Sequence, residues 1–393
     1  MAAPVLRLGA AAPGILALPD AHPAPGTLYA PRGVYVDDEV AVVADSGNHR
    51  VLIWHGTPRA DGQPADIVLG QPDMTSEGPR ADGADAERGL HLPCGVAVYD
   101  GRLVVADAWN HRVLIWDAVP QSDFAAPDHV IGQPDATSFE ANAGGEPSAT
   151  TLHWPYGFDL VGGIFWVADT GNRRVLGWDG LPIAGQPARY LLGQDSFGER
   201  EENRGRAVGH GGYRWPHDVT GDAARLLVAD AGNHRVVGWQ GRPLPERDFD
   251  LVLGQKDISA GSEWPYSAPG NKTTRFPYAL SLDGHRLAVA DTANNRVLVW
   301  DDAPTHGLGA PADRVLGQRD FDGAGENRWD AIRDDTLCWP YGLHLRGDRL
   351  AIADSGNNRV VIWDLSAPDP IQPEGSAAAG LLRGASPRPR PVS

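Results

Sequence analysis

Short runs of β-branched and alternating apolar residues, each ended by a turn rich in Asp, Asn or Gly, recur along the whole chain. Within residues 95–135, GVAVYD predicts a strand, Asp100 and Gly101 a tight turn, and RLVVAD the returning strand. The segment AWN turns the chain again before HRVLIWD, and DHVIGQPD adds a fourth β-branched run. No segment shows convincing helical periodicity, so the pattern predicts sheets of four antiparallel strands.

The strand pattern belongs to a repeated unit, VVADAWNHRVLIWD at residues 104–117, of which the chain holds six close copies. The aspartate of each copy stands at position 45, 107, 169, 230, 291 or 354, so the repeats follow one another at steps of 62, 62, 61, 61 and 63 residues. Repeated four-stranded units at a constant period are typical of a propeller. The sequence therefore predicts an all-β, six-bladed β-propeller of four-stranded antiparallel blades over residues 1–364.

The two ends of the repeat array predict how the ring closes. The fourth run of each unit ends in a Gly-Gln motif, as in IVLGQPD and YLLGQD, but nothing like it follows Asp364. The segment PVLRLG, Pro4 to Gly9, lies in the matching register before the first repeat. We expect it to form the outermost strand of the last blade, and residues 365–393, rich in Pro, Ala and Gly, to form a disordered tail.

The residues that repeat in every unit are expected to have structural roles. The aspartates can accept bonds from turn N–H groups, and the arginines five positions later can pair with an aspartate across the turn or on a neighbouring blade. The tryptophans of the third strand are expected in the core between blades. These tryptophans stand at 54, 116, 178, 239, 300 and 363.

The triplets Asn48-His49-Arg50, Asn110-His111-Arg112 and Asn233-His234-Arg235 resemble the signature of the NHL repeat family. The resemblance extends over residues 31–364 and implies a six-bladed propeller that serves as a rigid platform for protein partners. It also implies, for bacterial examples, association with multi-subunit oxidoreductases such as hydrogenases. The repeat is longer here than is usual for the family, and the surplus is mainly the segment after each Gly-Gln motif.

Composition narrows the classes of partner. The 393 residues carry a formal net charge of −17, which disfavours nucleic acid and anionic membrane surfaces. Cys94 and Cys338 are expected to be free thiols, because two cysteines on non-adjacent units make no disulfide framework. No convincing signal peptide and no apolar run of about 18 residues is present. We expect a cytoplasmic protein without membrane insertion.

Aromatic residues in the long loops predict a binding face. In a propeller, the turns between second and third strands and the connections between blades emerge on the same face, where Trp109, Trp264 and Trp329 break the repeat. Trp154, Trp215 and Trp339 precede a repeated proline and are expected to anchor loops. The position after that proline points toward the mouth of the ring. The predicted binding face therefore comprises Trp109, Trp264, Trp329, Tyr156, Tyr278, Tyr341 and Arg32.

A second set of residues is predicted at the mouth of the central channel: Cys94, Asp159, His217, His344, His91 and His153. Asp159 and His344 fall on blades three and six, opposite each other. These residue types can ligate metals, and Ca²⁺ or Zn²⁺ are the metals to test. No H-E-x-x-H or C-x-x-C motif is present, so no cofactor is evident from the sequence. We expect a non-enzymatic protein-binding scaffold or accessory and assembly factor; the alternative is a metal-dependent hydrolase or lyase acting in the channel mouth.

Overall fold

A computed structural model describes residues 6–8, 22–241, 248–261 and 266–366 of the chain. In these ranges the chain forms six antiparallel sheets, and each sheet packs against the next through one hydrophobic cluster. The cluster that joins the first blade to the last contains Trp54 and Ile362, so the ring is closed. The prediction of a six-bladed propeller is confirmed.

The strands follow the predicted order. The first strand, β1, is Leu6–Leu8. Blade 1 contains β2 (Gly33–Val36), β3 (Val40–Asp45), β4 (Arg50–His55) and β5 (Ile67–Leu69). Blade 2 contains β6 (Val96–Tyr99), β7 (Arg102–Asp107), β8 (Arg112–Trp116) and β9 (His129–Ile131). Blade 3 contains β10 (Pro155–Val161), β11 (Ile164–Asp169), β12 (Arg174–Asp179) and β13 (Tyr190–Leu192). Blade 4 contains β14 (Pro216–Asp222), β15 (Arg225–Asp230), β16 (Arg235–Gln240) and β17 (Leu251–Leu253). Blade 5 contains β18 (Pro277–Asp283), β19 (Arg286–Asp291), β20 (Arg296–Trp300) and, after a short β21 (Gly307–Leu308), β22 (Arg314–Leu316). Blade 6 contains β23 (Pro340–Arg346), β24 (Arg349–Asp354) and β25 (Arg359–Asp364).

The last blade is completed by the start of the chain. Strand β1 pairs antiparallel with β25, with Leu6 opposite Ile362 and Leu8 opposite Val360. This is the strand that the sequence predicts within residues 4–9. Residues 367–393, which hold almost all of the predicted tail, lie outside the described residues.

Short helical turns connect the strands. A 3-10 turn joins the second strand to the third in every blade: Ser46–Asn48, Ala108–Asn110, Thr170–Asn172, Ala231–Asn233, Thr292–Asn294 and Ser355–Asn357. Three blade connections contain Ala141–Gly144, Glu202–Gly205 and Glu326–Trp329, and a fourth contains the turn Pro79–Asp82. One feature was not predicted: β21 pairs parallel with β17, which gives blade 4 a fifth strand taken from blade 5.

The tryptophan of each third strand is buried between two blades, as predicted. Trp116 packs with Val42 and Leu69 of the preceding blade and is 3% exposed. Its indole N–H donates to the carbonyl oxygen of Ala125 at 3.2 Å, so the one polar atom of the ring is also satisfied. Truncating such a side chain to alanine costs about 3–5 kcal/mol.

Each repeated aspartate closes the turn in which it stands. In blade 2, Asp107 Oδ2 accepts hydrogen bonds from Asn110 Nδ2 and Arg112 Nε, both at 2.8 Å. Its Oδ1 accepts the backbone N–H of His91 at 2.7 Å. Both members of the Asp–Arg pair are fully buried, and the remaining arginine N–H groups donate to carbonyl oxygens of the loops before and after the blade. Removing one member of such a pair leaves an uncompensated buried charge.

The same arrangement recurs in all six blades. The buried pairs are Asp45 with Arg50, Asp107 with Arg112, Asp169 with Arg174, Asp230 with Arg235, Asp291 with Arg296 and Asp354 with Arg359. Each arginine donates to carbonyl oxygens of the long loops. The pair lies within one blade, and its effect is to fix the loops on one face of the ring.

In five of the six blades, the residue before this arginine accepts a backbone N–H from the connection to the next blade; in blade 3 this residue is Arg173, which donates to carbonyl oxygens instead. His111 adopts a left-handed conformation, with φ 56°, and its Nδ1 accepts the backbone N–H of Trp154 at 3.1 Å. Asn295 has the same conformation, and its Oδ1 accepts the backbone N–H of Trp339 at 2.9 Å. Burial and the neighbouring His153 and His91 lower the pKa of His111 to about 4. The imidazole is therefore neutral near pH 7 and can act as an acceptor.

Candidate functional site: the loop face and the channel mouth

The long loops and the turns after the second strands lie on one side of the ring, which we call the loop face. It is formed by residues 22–30, 70–93, 132–154, 193–215, 254–261, 266–276 and 317–339. Its exposed aromatic side chains are the distinctive feature. Trp109 is 41% exposed, Trp154 37%, Trp329 81% and Trp339 40%. Trp264 lies outside the described residues.

Among the described residues, the exposed large hydrophobic side chains are Tyr29, Trp109, Trp154, Ile183, Leu308, Trp329 and Trp339. All except Ile183 and Leu308 belong to the loop face, and those two stand in connections between third and fourth strands, on the opposite face. Trp154 and Trp339 were expected to anchor loops. Their backbone N–H groups do so, and their side chains stay partly exposed.

Trp109 and Trp154 form one aromatic patch across blades 2 and 3. Their ring centroids are 6.1 Å apart, and Trp109 also lies 5.5 Å from the ring of His91. Trp109 occupies the turn position that is glycine in blades 1, 3, 4 and 6. Trp109 also lies near the phenol of Tyr156, which connects the patch to the channel mouth.

Trp329 has an unfavourable backbone conformation. Its φ is 56°, in the left-handed region that most side chains avoid. The matching positions in the turns Ala141–Gly144 and Glu202–Gly205 are glycines, with φ 77° and 68°. Only a small part of the Trp329 ring is buried, so packing offers little to offset the strain.

The six residues after the repeated proline form a continuous ring at the channel mouth, in the order Arg32, Cys94, Tyr156, His217, Tyr278 and Tyr341. The imidazole of His217 stacks between Tyr156 and Tyr278, with centroids 4.2 and 4.1 Å away and interplanar angles of 17° and 19°. Tyr278 and Tyr341 are 4.8 Å apart. The guanidinium carbon of Arg32 lies 4.9 Å from the centre of the Tyr341 ring, and the Arg32 side chain also lies near the Cys94 thiol.

Below this ring lies a cavity of about 120 Å³. Asp159 and His344 line it, but each serves a contact between blades. Asp159 accepts hydrogen bonds from the hydroxyls of Tyr99 at 3.1 Å and Thr220 at 2.9 Å. His344 Nδ1 accepts the backbone N–H of Val36 at 3.2 Å, and its pKa is lowered to about 4 by burial.

Asp218 is a cavity residue that the sequence reasoning missed. Its carboxylate oxygens accept the backbone N–H groups of Val219 at 2.9 Å and Leu280 at 2.8 Å. Burial raises its pKa to about 8, so the carboxyl is largely protonated at pH 7. The matching positions in the other blades are Gly33, Gly95, Gly157, Ala279 and Gly342. This single break in a row of small residues was the signal available in the sequence.

His91 and His153 do not line the cavity, although we expected them at the channel mouth. Each stands two residues before the proline, and its side chain packs over the turn of its own blade. The His91 ring lies 5.5 Å from Trp109 in that turn, and the His153 ring lies against Gly171. Each ring also lies 5.1 Å from a histidine of the preceding blade, His49 and His111 respectively. Within the described ranges, no group of three or more His, Cys, Asp or Glu side chains is arranged to hold a metal ion. A Ca²⁺ or Zn²⁺ site stays a prediction.

Cys94 and Cys338 are both buried and free, as expected. Burial raises the pKa of Cys94 to about 11, so its thiol keeps the proton. In the part of the chain that the structure describes, no helix has both the length and the apolar character needed to cross a membrane.

Comparison with known proteins agrees with the fold. A model of the NHL repeat matches residues 28–54. NHL repeat-containing protein 2 of Bos taurus is 26% identical over 383 residues, which cover 90% of this chain and 48% of that protein. The Homo sapiens protein of the same name is 26% identical over 381 residues, with the same coverage. The chain thus spans about half the length of the curated relatives that it matches. A solved chain of Kuenenia stuttgartiensis hydrazine synthase is 13% identical, with a TM-score of 0.48, covering 88% of this chain and 98% of that one.

Proposed function

The chain is an NHL-repeat β-propeller, and we propose that it is a non-enzymatic scaffold that binds a protein partner on its loop face. The observation that carries this proposal is the position of the exposed tryptophans. All four that the structure describes as exposed lie on this face, away from the core positions that the repeat requires. Tryptophan is enriched among the residues that dominate binding energy at protein interfaces.

The backbone strain at Trp329 supports the proposal. A left-handed residue with a side chain costs about 1–2 kcal/mol relative to a standard conformation. The two equivalent turns use glycine at this position and so avoid the cost. A ring that is 81% exposed does little for the fold, and a contact made outside the chain explains why the position holds Trp.

The loop face is also suited to rigid docking. The six buried arginines donate to carbonyl oxygens of the long loops, so the tryptophans are carried by loops that are fixed before any partner arrives. Preorganised surfaces lose less conformational entropy on binding. The loop at residues 134–154 holds three carboxylates and neither Lys nor Arg. This charge favours a partner with a basic surface beside its aromatic contacts.

Two variants and a matched control test the proposal. The wild-type protein, Trp109→Ala, Trp329→Gly and the control Ile183→Ala would be immobilised and used to purify partners from the native source. Ile183 is 60% exposed but lies on the opposite face. We expect one protein to be depleted at least about tenfold by both tryptophan variants and unaffected by the control, because loss of an interface tryptophan costs about 2 kcal/mol or more. Calorimetry with that purified protein would then give the loss in affinity directly.

The proposal fails if all four proteins recover the same partners in the same amounts. The finer role, as an accessory or assembly factor, depends on which partner is recovered. The comparisons give no support to a hydrogenase or another multi-subunit oxidoreductase as that partner, so the assay must be made without assuming one.

The alternative is a metal-dependent hydrolase or lyase acting in the channel mouth. The polar cavity beneath the ring is the feature that favours it. Metal analysis of the purified protein tests this function: one tightly held Ca²⁺ or Zn²⁺ that is lost in His217→Ala or His344→Ala would favour the enzyme over the scaffold.

A further inference from the structure

Arg32 differs from the repeated arginines in how its charge is compensated. Within the described residues it forms no ion pair with an aspartate or glutamate, in contrast to the six repeated arginines, which are each paired. Its Nε is inaccessible to solvent and makes no hydrogen bond. Its side chain instead lies against Tyr341 and Cys94. A largely desolvated guanidinium is costly unless something compensates its charge.

The other members of the ring do not supply that compensation. Burial raises the pKa of Tyr156 to about 12 and raises those of Tyr278 and Tyr341, so the three phenols keep their protons. Burial and the nearby charge of Arg32 lower the pKa of His217 to about 3, so its imidazole is neutral. Arg32 therefore provides the only formal charge in the ring at neutral pH.

The carboxyls deeper in the cavity are engaged elsewhere. Asp159 is held by Tyr99 and Thr220, and Asp218 by two backbone N–H groups. Neither forms an ion pair with Arg32. In contrast, the hydroxyls of Tyr278 and Tyr341 make no hydrogen bond to another described residue. Both phenols also lie near enough to Arg32 for its charge to oppose the rise in their pKa that burial causes. They are free to donate to a ligand.

We propose that the channel mouth binds a small organic carboxylate, with the Arg32 guanidinium facing the carboxylate and the hydroxyls of Tyr278 and Tyr341 donating to its oxygens. Guanidinium groups match carboxylates in geometry and charge. A single positive charge balances a monoanion. A phosphate dianion would leave one negative charge uncompensated at a partly buried site, in a protein of net charge −17. A cavity of about 120 Å³ limits the ligand to a few heavy atoms.

Acetate is the probe with which to test the site. Binding to the full chain would be measured by calorimetry at pH 7 and at constant ionic strength, with acetamide as the neutral isostere, sodium chloride as the salt control and inorganic phosphate as the competing oxyanion. We expect saturable binding of acetate and none of acetamide. Arg32→Gln should weaken acetate binding at least about tenfold, the effect of losing a charge-assisted hydrogen bond. Arg189→Gln, an exposed arginine on the opposite face, should leave it unchanged.

A second variant guards against misfolding of Arg32→Gln. The double substitution Tyr278→Phe with Tyr341→Phe keeps the stacked rings and removes only two donors, so acetate binding should weaken several-fold with an unchanged melting temperature. The proposal is overturned if the wild-type protein does not bind acetate, if acetamide or chloride acts as acetate does, or if Arg32→Gln binds acetate as tightly as wild type. Phosphate binding tighter than acetate binding would overturn the choice of a carboxylate. The docking proposal does not depend on this result.

Discussion

Replacing His111 with asparagine should raise the stability of the folded protein at acidic pH and leave its stability at neutral pH unchanged. The substitution copies a junction that the chain already contains. His111 accepts the backbone N–H of Trp154 in the sequence Trp-Pro-Tyr-Gly, and Asn295 accepts that of Trp339 in the same four-residue sequence. Asparagine also tolerates the left-handed conformation that both positions adopt.

The magnitude follows from proton linkage. The pKa of His111 is about 4 in the folded protein and about 6.5 in the unfolded chain, so the unfolded chain binds the proton more tightly. Stability is therefore fully present above pH 6.5 and falls as the pH drops from 6.5 toward 4. At pH 5 the loss is at most about 2 kcal/mol. Because the imidazole is only partly buried, we expect about 1 kcal/mol, or about 1–2 °C in melting temperature for a chain of this size.

The assay is differential scanning calorimetry at pH 8 and pH 5. His111→Asn should have the melting temperature of wild type at pH 8 and a higher one at pH 5. The reciprocal Asn295→His should have the melting temperature of wild type at pH 8 and a lower one at pH 5. His55→Asn, on an exposed side chain in the opposite face, is the control. If the melting temperature fell by the same amount in His111→Asn and in wild type between pH 8 and pH 5, the neutral imidazole would not be the acceptor at this junction.

Two further predictions concern stability. Trp329→Gly should leave the calorimetric melting temperature within about 2 °C of wild type, because relief of about 1–2 kcal/mol of backbone strain offsets the few lost contacts. Trp116→Ala should lower the free energy of unfolding by about 3–5 kcal/mol. Equal losses of stability in the two variants would make Trp329 a structural residue. Deleting residues 1–12 should lower the melting temperature markedly, since β25 loses the strand that pairs with its outer edge. The matched control is a truncation of residues 368–393. If the protein without residues 1–12 melted at the same temperature as wild type, the role given to β1 in closing the ring would be wrong.

The number of blades and the closing strand were predictable from the sequence, because both depend on the register of a repeat. The nearly constant spacing of the repeated aspartates predicted six blades. Because no fourth strand follows Asp364, residues 4–9 were predicted to supply the missing strand of the last blade. The extra strand β21 was not predictable. It forms where a connection of blade 5 passes the edge of β17, and no local pattern in Gly307–Leu308 marks that contact.

The sequence predicted which residues lie near the channel mouth, but not the contacts that they make there. The residues after the proline were predicted at the mouth because strand alternation fixes the direction of a side chain, and in the structure they line the cavity. Their stacking and the unpaired charge of Arg32 depend on distances across the axis, which a sequence does not contain. His91 and His153 were misplaced for the related reason that the chain bends before the proline, which turns their side chains toward the blade turns. The strain at Trp329 required the backbone angles.

The pairing of β1 with β25 has a consequence for synthesis on the ribosome. Strand β1 is synthesised before the six blades and must wait for the last repeat before it acquires a partner, so five blades can stack while the ring is still open. Until then the edge of the sixth sheet is uncovered, and strands with free edges recruit other chains.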